Sequence, residues 1–387
     1  MSVHVIDEAR RCLNCKNPGC MKGCPIHTPV PEMIRCILEE EDGLTKAGRL
    51  VLENNPLAFV CALVCGQEAR CEEHCIWNDR GNPIQISNIE EYIADTILDK
   101  YQFQQRPSNG KMAAVIGSGP AGITIAILLA QWGYEVTIFE SRDKIGGVLR
   151  YGIPDFRLPK TVLDRYEKKL VKLGIQIRPN TTIGGGALTL EDLFRDGYCS
   201  VYTGAGVWWP KTLGIRGESL GNVHYGIDYL ANPDVFALGE RVAIIGAGNA
   251  AVDVARTALR HGAREVTLYE LKPAAAATET EQCYARMDGA RFEFGKKIVE
   301  ITREGPVFHN VRYDNAGQVL EESEACEQIP ADSTIIAISQ TPISRITPAM
   351  EGVFASGDSV QTHRTIVEAV EHSKRVAVAM DEFMRGK

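Results

Sequence analysis

Twelve cysteines stand in the 387-residue chain, and nine of them precede residue 76. Eight of the nine form two runs, Cys12-x2-Cys15-x4-Cys20-x3-Cys24-Pro25 and Cys61-x3-Cys65-x5-Cys71-x3-Cys75. Thiolates spaced this closely let one loop wrap a metal centre. A run that ends in Cys-Pro is similar in kind to iron–sulfur runs in which the last cysteine ligates a different cluster. Tetrahedral zinc is the alternative, since Cys-x2-Cys is also half of a zinc knuckle, but the gaps of three, four and five residues suit zinc pairs less well. Inert buried thiols are the third reading. The segment Met1–Arg11 is charged and has no apolar stretch of the export type, so a disulfide framework is not expected and a cytoplasmic location is. Cys36, Cys199, Cys283 and Cys326 stand alone and are expected to pack as small apolar side chains. His74, beside Cys75, reads as incidental.

The second chemical feature is a glycine turn that occurs twice. Gly117-Ser118-Gly119-Pro120-Ala121-Gly122 directly follows the apolar run Met112–Ile116. In such a turn the first glycine permits the bend, the second lets the backbone approach a pyrophosphate, and the third lets helix pack on strand. The helix that starts there presents free N–H groups and the positive end of its dipole to the phosphates. The next strand, Tyr134–Phe139, ends at Glu140, where a carboxylate can hold ribose hydroxyls. The series then repeats, with strand Arg241–Ile245, turn Gly246-Ala247-Gly248-Asn249-Ala250-Ala251, helix Asn249–Arg260, strand Glu265–Tyr269 and Glu270. Two such motifs imply two dinucleotides, and the usual pair is a flavin and a nicotinamide nucleotide, between which hydride passes. Glu270 stands where an acid accepts from a free ribose 2′-OH and repels a 2′-phosphate, which favours NAD(H) over NADPH. Lys272 and Arg256 could soften that preference, and a solvent-facing Glu270 would remove it.

These residues need scaffolds, and the sequence divides accordingly. Residues 1–108 are nearly free of strand patterns, with helices expected at Val30–Glu40, Leu44–Asn54 and Ile86–Lys100. The acidic run Glu39–Asp42 reads as a solvated helix end. Residues 102–110 read as a polar linker, and Ala274–Ala277 as a loop or helix start. From Lys111 strands and helices alternate, which implies α/β layers around parallel sheets. The charge balance, 42 Lys+Arg against 50 Asp+Glu, argues against a nucleic-acid binder. The most apolar stretch, near Ile123–Ala130, falls far short of the roughly 20 residues that span a membrane.

With these motifs assembled, the chain resembles the family of the small (beta) subunit of bacterial glutamate synthase. Its relatives include the N-terminal part of dihydropyrimidine dehydrogenase and the large subunit of NADH-dependent ferredoxin:NADP oxidoreductase. The resemblance runs from about Cys12 to about Met380 and is carried by CLNCKNPGCMKGCPIHTPVPEMI, NPLAFVCALVCGQEARCEEHC, NPIQISNIEEYIAD, VIGSGPAGITIA, GGVLRYGIPDFRLPK, IIGAGNAAVDVAR and FASGDSV. It implies α/β architecture with an N-terminal all-α iron–sulfur domain and two Rossmann-like domains, the NAD(P) domain inserted in the FAD domain. The bounds it implies are 1–108 for two 4Fe–4S clusters, 109–212 and 343–387 for the two parts of the FAD domain, and 213–342 for the NAD(H) domain. In that arrangement Cys12, Cys15, Cys20 and Cys75 hold one cluster. Cys24, Cys65, Cys71 and Glu90 hold the other, and Cys61 is no ligand; the plainer reading of Glu90 is a helix-surface residue. For the flavin the resemblance adds Gly146, Gly147, Arg150, Gly152, Gly357 and Asp358 to the first glycine turn and Glu140. Tyr202–Ala205 is the implied crossing to the nicotinamide domain and Ala337–Pro342 the return, with Ser339 where the family often has glycine. NADPH-using relatives carry Tyr-Arg-Arg after the second strand of that domain; here the triplet is Glu270-Leu271-Lys272, which agrees with the preference for NAD(H).

The resemblance implies an NADH-linked oxidoreductase subunit that carries FAD and two 4Fe–4S clusters and has no acid–base triad. Electrons held in a terminal cluster domain imply a partner redox subunit in a hetero-oligomeric complex, and one relative bifurcates electrons. A stand-alone NAD(P)H oxidoreductase acting on ferredoxin or a small molecule is the first alternative. A cofactor-poor scaffold subunit is the second.

Overall fold

The computed structural model describes residues 2–39, 42–314, 316–342, 350–360 and 365–386. By its contacts the chain falls into two compact units. The first comprises residues 1–150, 155–207 and 342–387, and the second residues 151–154 and 208–341.

The first unit begins with helices α1 (Ser2–Arg10), α2 (Gly19–Gly23), α3 (Val30–Leu38), α4 (Gly43–Asn54), α5 (Ala58–Val64) and α6 (Ile86–Leu98). Helix α3 stops before the expected Glu40 because Glu39 turns extended, at φ −72° and ψ 144°. Glu39 and Asp42 are exposed, and the two residues between them lie outside the described residues. Helices α1, α2 and α5 were not anticipated; α5 is an unbroken apolar run, which carries no helical period. Helix α4 lies against α6 at Gly48, where a methyl group would come within 2.5 Å of Ile97. The buried face of α6 is Ile86, Ile89, Glu90, Ile93, Ala94 and Ile97, at the three- and four-residue spacing of one helical stripe. Glu90 therefore points inward on a face that is otherwise apolar, and the helix-surface reading is corrected.

The α/β part follows, with β1 (Met112–Ile116), α7 (Pro120–Gln131), β2 (Glu135–Phe139), α8 (Val148–Tyr151), α9 (Lys160–Lys172), β3 (Gln176–Arg178), α10 (Leu190–Arg195) and β4 (Tyr198–Thr203). The second unit contains β5 (Trp209–Pro210), β6 (Val223–Tyr225), α11 (Gly226–Ala231), β7 (Arg241–Ile245), α12 (Asn249–Arg260), β8 (Glu265–Glu270), α13 (Glu279–Asp288), β9 (Arg291–Phe294), β10 (Lys296–Thr302), β11 (Gly305–Tyr313), β12 (Val319–Gln328), β13 (Ser333–Ile336) and β14 (Gln340–Thr341). The chain then returns to the first unit as β15 (Val353–Ala355) and α14 (Ile366–Arg385).

Each unit is built on a five-stranded parallel sheet, in the order β15-β4-β1-β2-β3 in the first and β6-β13-β7-β8-β9 in the second. The central strands MAAVI and RVAII are almost wholly buried, as strands covered on both faces must be; in the second unit Val242 and Ile244 face α12 while Ala243 and Ile245 face Phe308 of β11. The second unit also carries a three-stranded antiparallel sheet, β10-β11-β12, which the expectation of parallel layers missed. Strands β5 and β14 pair antiparallel, so the chain enters and leaves this unit side by side.

Within the first unit Arg165 on α9 reaches back to α6, pairing with Asp95 at 2.5 Å and Asp99 at 3.0 Å. Lys169 donates to the carbonyls of Asp99, at 3.0 Å, and Tyr101. Lys374 on α14 donates to the carbonyl of Asn54 at 2.7 Å. Residues 102–109 form neither helix nor strand, yet the segment is pinned to the end of α7, with the Arg106 N–H on the carbonyl of Gln131 at 2.9 Å. Ala274–Ala277 is a loop. Among the described residues no helix is long and apolar enough to cross a membrane.

Candidate functional site

The two cysteine runs fold onto each other, and glycine makes this possible. Gly19 and Gly23 each precede a cysteine. A methyl at Gly19 would lie 2.3 Å from the carbonyl oxygen of His74, and one at Gly23 would lie 2.6 Å from its ring. His74 is thus a packing residue rather than an incidental one, held by its ring nitrogen on the carbonyl of Arg70 at 2.6 Å. As a result Cys12, Cys15 and Cys20 line one cavity of about 310 Å³ together with Cys75 of the second run. Cys24 of the first run lines a second, narrower cavity with Cys65, Cys71, Cys61 and Glu90. Glu72 fixes the start of α6 by accepting from the Ser87 N–H at 2.9 Å and the Ser87 hydroxyl at 2.8 Å. That contact ties the helix bearing Glu90 to the second cysteine run.

The chemistry of these donors fits an electron-poor metal centre. Burial pushes the Cys20 thiol up to about 11 and Cys65 up to about 12, and it raises Cys71 and Cys12 as well. Thiols held protonated by burial become ligands when a metal takes the place of the proton. Burial alone pushes the Glu90 carboxyl up to about 8, with no hydrogen bond or ion pair contributing. The Asn55 side-chain nitrogen, which lines the same cavity, is buried without a hydrogen-bond partner. The Asn55 oxygen accepts from the Leu57 N–H at 2.9 Å, but a buried carboxyl with no partner is costly unless a further group occupies the space. Cys61, on the apolar helix α5, lines the same cavity and is buried. Among the described residues no three His, Cys, Asp or Glu side chains converge on a point as the ligands of a single ion do.

The first glycine turn is built between β1 and α7. Gly117, at φ 92°, is pressed by the chain leaving β4, and a methyl there would lie 2.6 Å from the carbonyl oxygen of Gly204. A methyl at Gly122 would lie 1.9 Å from the carbonyl oxygen of Gly117, whereas one at Gly119 would meet nothing within 4 Å. The turn is therefore closed behind and open in front, at the residue where a pyrophosphate would approach the backbone. Pro120 begins α7 and Ala121 and Gly122 complete its first turn. Glu140 is buried and accepts from the Ser118 N–H at 2.9 Å, the Ser118 hydroxyl and the Arg142 N–H at 2.9 Å. The Gly146–Gly147 turn closes over the same loop; the Gly146 N–H donates to the Ser118 carbonyl at 3.0 Å, and a methyl at Gly147 would lie 2.8 Å from Gly119. On the other side Gly357, at φ 77°, lies close to Ala121 and carries Asp358 beside the start of α7. This last turn is anchored by a hydrogen-bonded chain that the sequence does not show. Tyr202 shares a hydrogen bond with the Ser356 hydroxyl at 2.7 Å, which meets the Ser373 hydroxyl at 2.8 Å. Arg150 is occupied structurally, donating to the Ile145 carbonyl at 2.7 Å and pairing with Asp164 at 2.7 Å. Gly152 belongs by its contacts to the second unit, not to the unit that holds the other residues named for the flavin.

The second turn repeats the first. Gly246, at φ 113°, is pressed by the carbonyl oxygen of Ala337, 2.7 Å from where a methyl would sit, and the position in front of Gly248 is again open. Ala251 takes the place of the third glycine and is fully buried. Glu270 ends β8 half-buried and accepts from the Ala247 N–H at 3.1 Å and the Lys272 N–H at 3.1 Å. It thus faces the turn, in the same relation that Glu140 has to Ser118 and Arg142. Asn249 accepts from the Thr278 N–H at 3.1 Å, and Ala250 follows it in the first turn of α12. The Lys272 side chain is exposed. Arg256 is buried between Glu281 at 3.3 Å and Asp288 at 2.8 Å, so its charge is balanced by these two acids, against the expected softening of Glu270. A cleft of about 810 Å³ opens beside the loop after β8, lined by Pro273, Ala277, Gln282, Arg286 and Phe294 among others.

Of the four isolated cysteines Cys36 is buried and Cys199 half-buried, but Cys283 and Cys326 are exposed, so the core-packing expectation is wrong for those two. Ser339 adopts φ 115°, a conformation suited to glycine.

Comparison with known proteins identifies the family. A family model described as dihydropyrimidine dehydrogenase domain II, 4Fe-4S cluster, matches residues 1–102. Models for an NAD(P)-binding Rossmann-like domain and for pyridine nucleotide-disulphide oxidoreductase match residues 115–164 and 200–357. The chain is 30% identical to the glutamate synthase [NADPH] small chain of Halomonas elongata, over 97% of this chain and 90% of that one. It is 32% identical to the NAD-dependent dihydropyrimidine dehydrogenase subunit PreT of Salmonella typhimurium, over 98% of this chain and 94% of that one. Its fold is like that of FprA from Mycobacterium tuberculosis, with TM-score 0.61 and 17% identity over 73% of this chain and 85% of that one.

Proposed function

The chain belongs to the family of FAD-, NAD(P)- and iron–sulfur-binding oxidoreductase subunits that includes the glutamate synthase small chain and PreT, and from that premise we propose that it is the NADH-linked electron-transfer subunit of a larger redox complex. The observation that carries this reading is the partition of donors between two cavities in a chain that also has two open-fronted glycine turns. Cys12, Cys15, Cys20 and Cys75 would hold one 4Fe–4S cluster, and Cys24, Cys65, Cys71 and Glu90 the other. FAD, when bound, supplies hydride exchange with the nicotinamide and single-electron exchange with the clusters.

The chain's own work is binding and orientation. The N–H groups at the start of α7 and α12 would meet the two pyrophosphates. Glu140 and Glu270 are both aimed at their turns; Glu270, half-buried with one donor on each oxygen, keeps acceptor positions for ribose hydroxyls, whereas the four acceptor positions of the buried Glu140 are taken by Ser118, Ser141 and Arg142, so that it shapes the turn. The names of the relatives divide between NADPH and NAD, so the choice of nicotinamide rests on Glu270. A carboxylate at that place accepts from a 2′-hydroxyl and repels a 2′-phosphate. No proton has to move on a side chain for hydride transfer. Relatives named as small chains or subunits support a partner subunit as the electron acceptor or donor.

Anaerobic titration tests the reading. The protein should bleach with NADH at lower concentration than with NADPH; bleaching by NADPH alone would overturn the nicotinamide assignment.

A further inference from the structure

Outside the cluster and dinucleotide sites, one group of side chains has the arrangement of an activated nucleophile. It lies on the antiparallel sheet of the second unit. His309 on β11 and Cys326 on β12 are cross-strand partners, and the Cys326 sulfur lies 3.5 Å from His309 Nε2. The other ring nitrogen, Nδ1, lies 3.6 Å from Glu322 Oε1. Glu322 reaches this ring because the register shifts between His309 and Val311, which sets Glu322 opposite Val311. Bulges of this kind re-aim side chains. Lys297 on β10 pairs with the same Glu322 oxygen at 2.6 Å. Its hydrogen bond, with a smaller contribution from His309, holds the Glu322 carboxyl below the usual carboxylate range.

An anionic Glu322 beside Nδ1 favours the tautomer with its proton there, which leaves Nε2 as a base facing the thiol. Nucleophile, base and a third group orienting the base is the general signature of an activated thiol. Cys326 is exposed, so a reagent can reach it.

We propose that Cys326 is a modifiable nucleophilic thiol, with His309 as its base and Glu322 as the positioning residue, and that it reacts with low-molecular-weight aliphatic disulfides. In the reaction the Cys326 proton passes to His309 Nε2 and the sulfur attacks one sulfur of the disulfide. A new S–S bond forms as the old one breaks, and the departing thiolate takes the proton from His309. The protein thiol is oxidised to the mixed disulfide and half of the reagent is reduced to a thiol.

Cys283, on α13 of the same unit, is the internal reference, being exposed with no histidine bonded to it among the described residues. The cofactor-loaded chain is treated anaerobically near pH 7 with 2-hydroxyethyl disulfide, a neutral reagent, and both cysteines are followed by peptide mass mapping. A positioned base typically contributes a hundredfold or more in enzymes; on this exposed pair Cys326 is expected to react at least about tenfold faster than Cys283. His309→Gln should bring Cys326 to within about twofold of Cys283, and Glu322→Gln should give an intermediate rate, with iron and flavin content unchanged. Equal rates at the two cysteines in the unaltered chain, or a Cys326 rate that survives His309→Gln, would overturn the proposal.

Discussion

A methyl group at Gly122 cannot be accommodated where the backbone now stands. It would sit 1.9 Å from the carbonyl oxygen of Gly117 and 3.4 Å from Val115. A carbon and an oxygen that do not bond need roughly 3 Å or more, so the first turn of α7 must withdraw by about 1 Å. That turn cannot withdraw alone. Ser118 is held by Glu140 at 2.9 Å and holds Gly146 at 3.0 Å, so at least one buried hydrogen bond is strained. Overpacking of this kind costs about 1–3 kcal/mol and a lost hydrogen bond about 1 more. Because the distortion lies in the loop that faces the flavin, Gly122→Ala should weaken FAD binding by about tenfold to a thousandfold, at about 1.4 kcal/mol per decade. Ala251→Gly is the control, because the matching position of the second unit already buries a methyl. Removing it costs only about 1 kcal/mol in helix propensity and packing and leaves the flavin loop untouched. Flavin content after purification and fluorescence titration of the flavin-free protein read the effect. Normal FAD affinity in Gly122→Ala would refute the close-packing argument.

Glu270→Arg should raise the NADPH/NADH ratio of kcat/KM by at least about tenfold, since it removes the carboxylate and adds a cation at the 2′ position; an unchanged ratio means that Glu270 does not read the ribose. Cys61→Ser should leave the iron content and the reduced-state electron paramagnetic resonance spectrum unchanged, whereas Glu90→Ala should alter the spectrum of one cluster only; the reverse pattern would exchange their roles. Ser339→Gly should stabilise the chain by about 1 kcal/mol, because relief of a backbone at φ 115° outweighs the added freedom of glycine in the unfolded chain; urea unfolding that shows a loss of stability would contradict this.

How much of this was legible depended on whether the signal is local. The strand–glycine–helix order around Gly117 and Gly246 is local, and so are the carboxylates that end the next strands. The inward place of Glu90 was also written in the chain, since Ile86, Ile89, Ile93 and Ile97 mark a stripe that includes it. What stayed hidden depended on register or on close approach. Strand β12 is exposed along nearly its whole length, so it has no alternation to betray a strand. The meeting of Cys326 with His309 depends on a pairing between strands, and that of Glu322 on a bulge within it. Similarly, the part played by Gly19, Gly23 and His74 in folding one cysteine run onto the other appears only when the two runs are in contact. Exposure of Cys283 and Cys326 follows from the same cause, as a cysteine's surroundings are set by elements that its neighbours in sequence do not name.

The central claim is that one chain holds two 4Fe–4S clusters and a flavin. Its most direct test is the iron, acid-labile sulfide and FAD content of protein purified anaerobically and fully reconstituted. The donor sets described above predict about eight irons, eight sulfides and one FAD per chain. Four or fewer irons per chain, or no bound flavin, would contradict it.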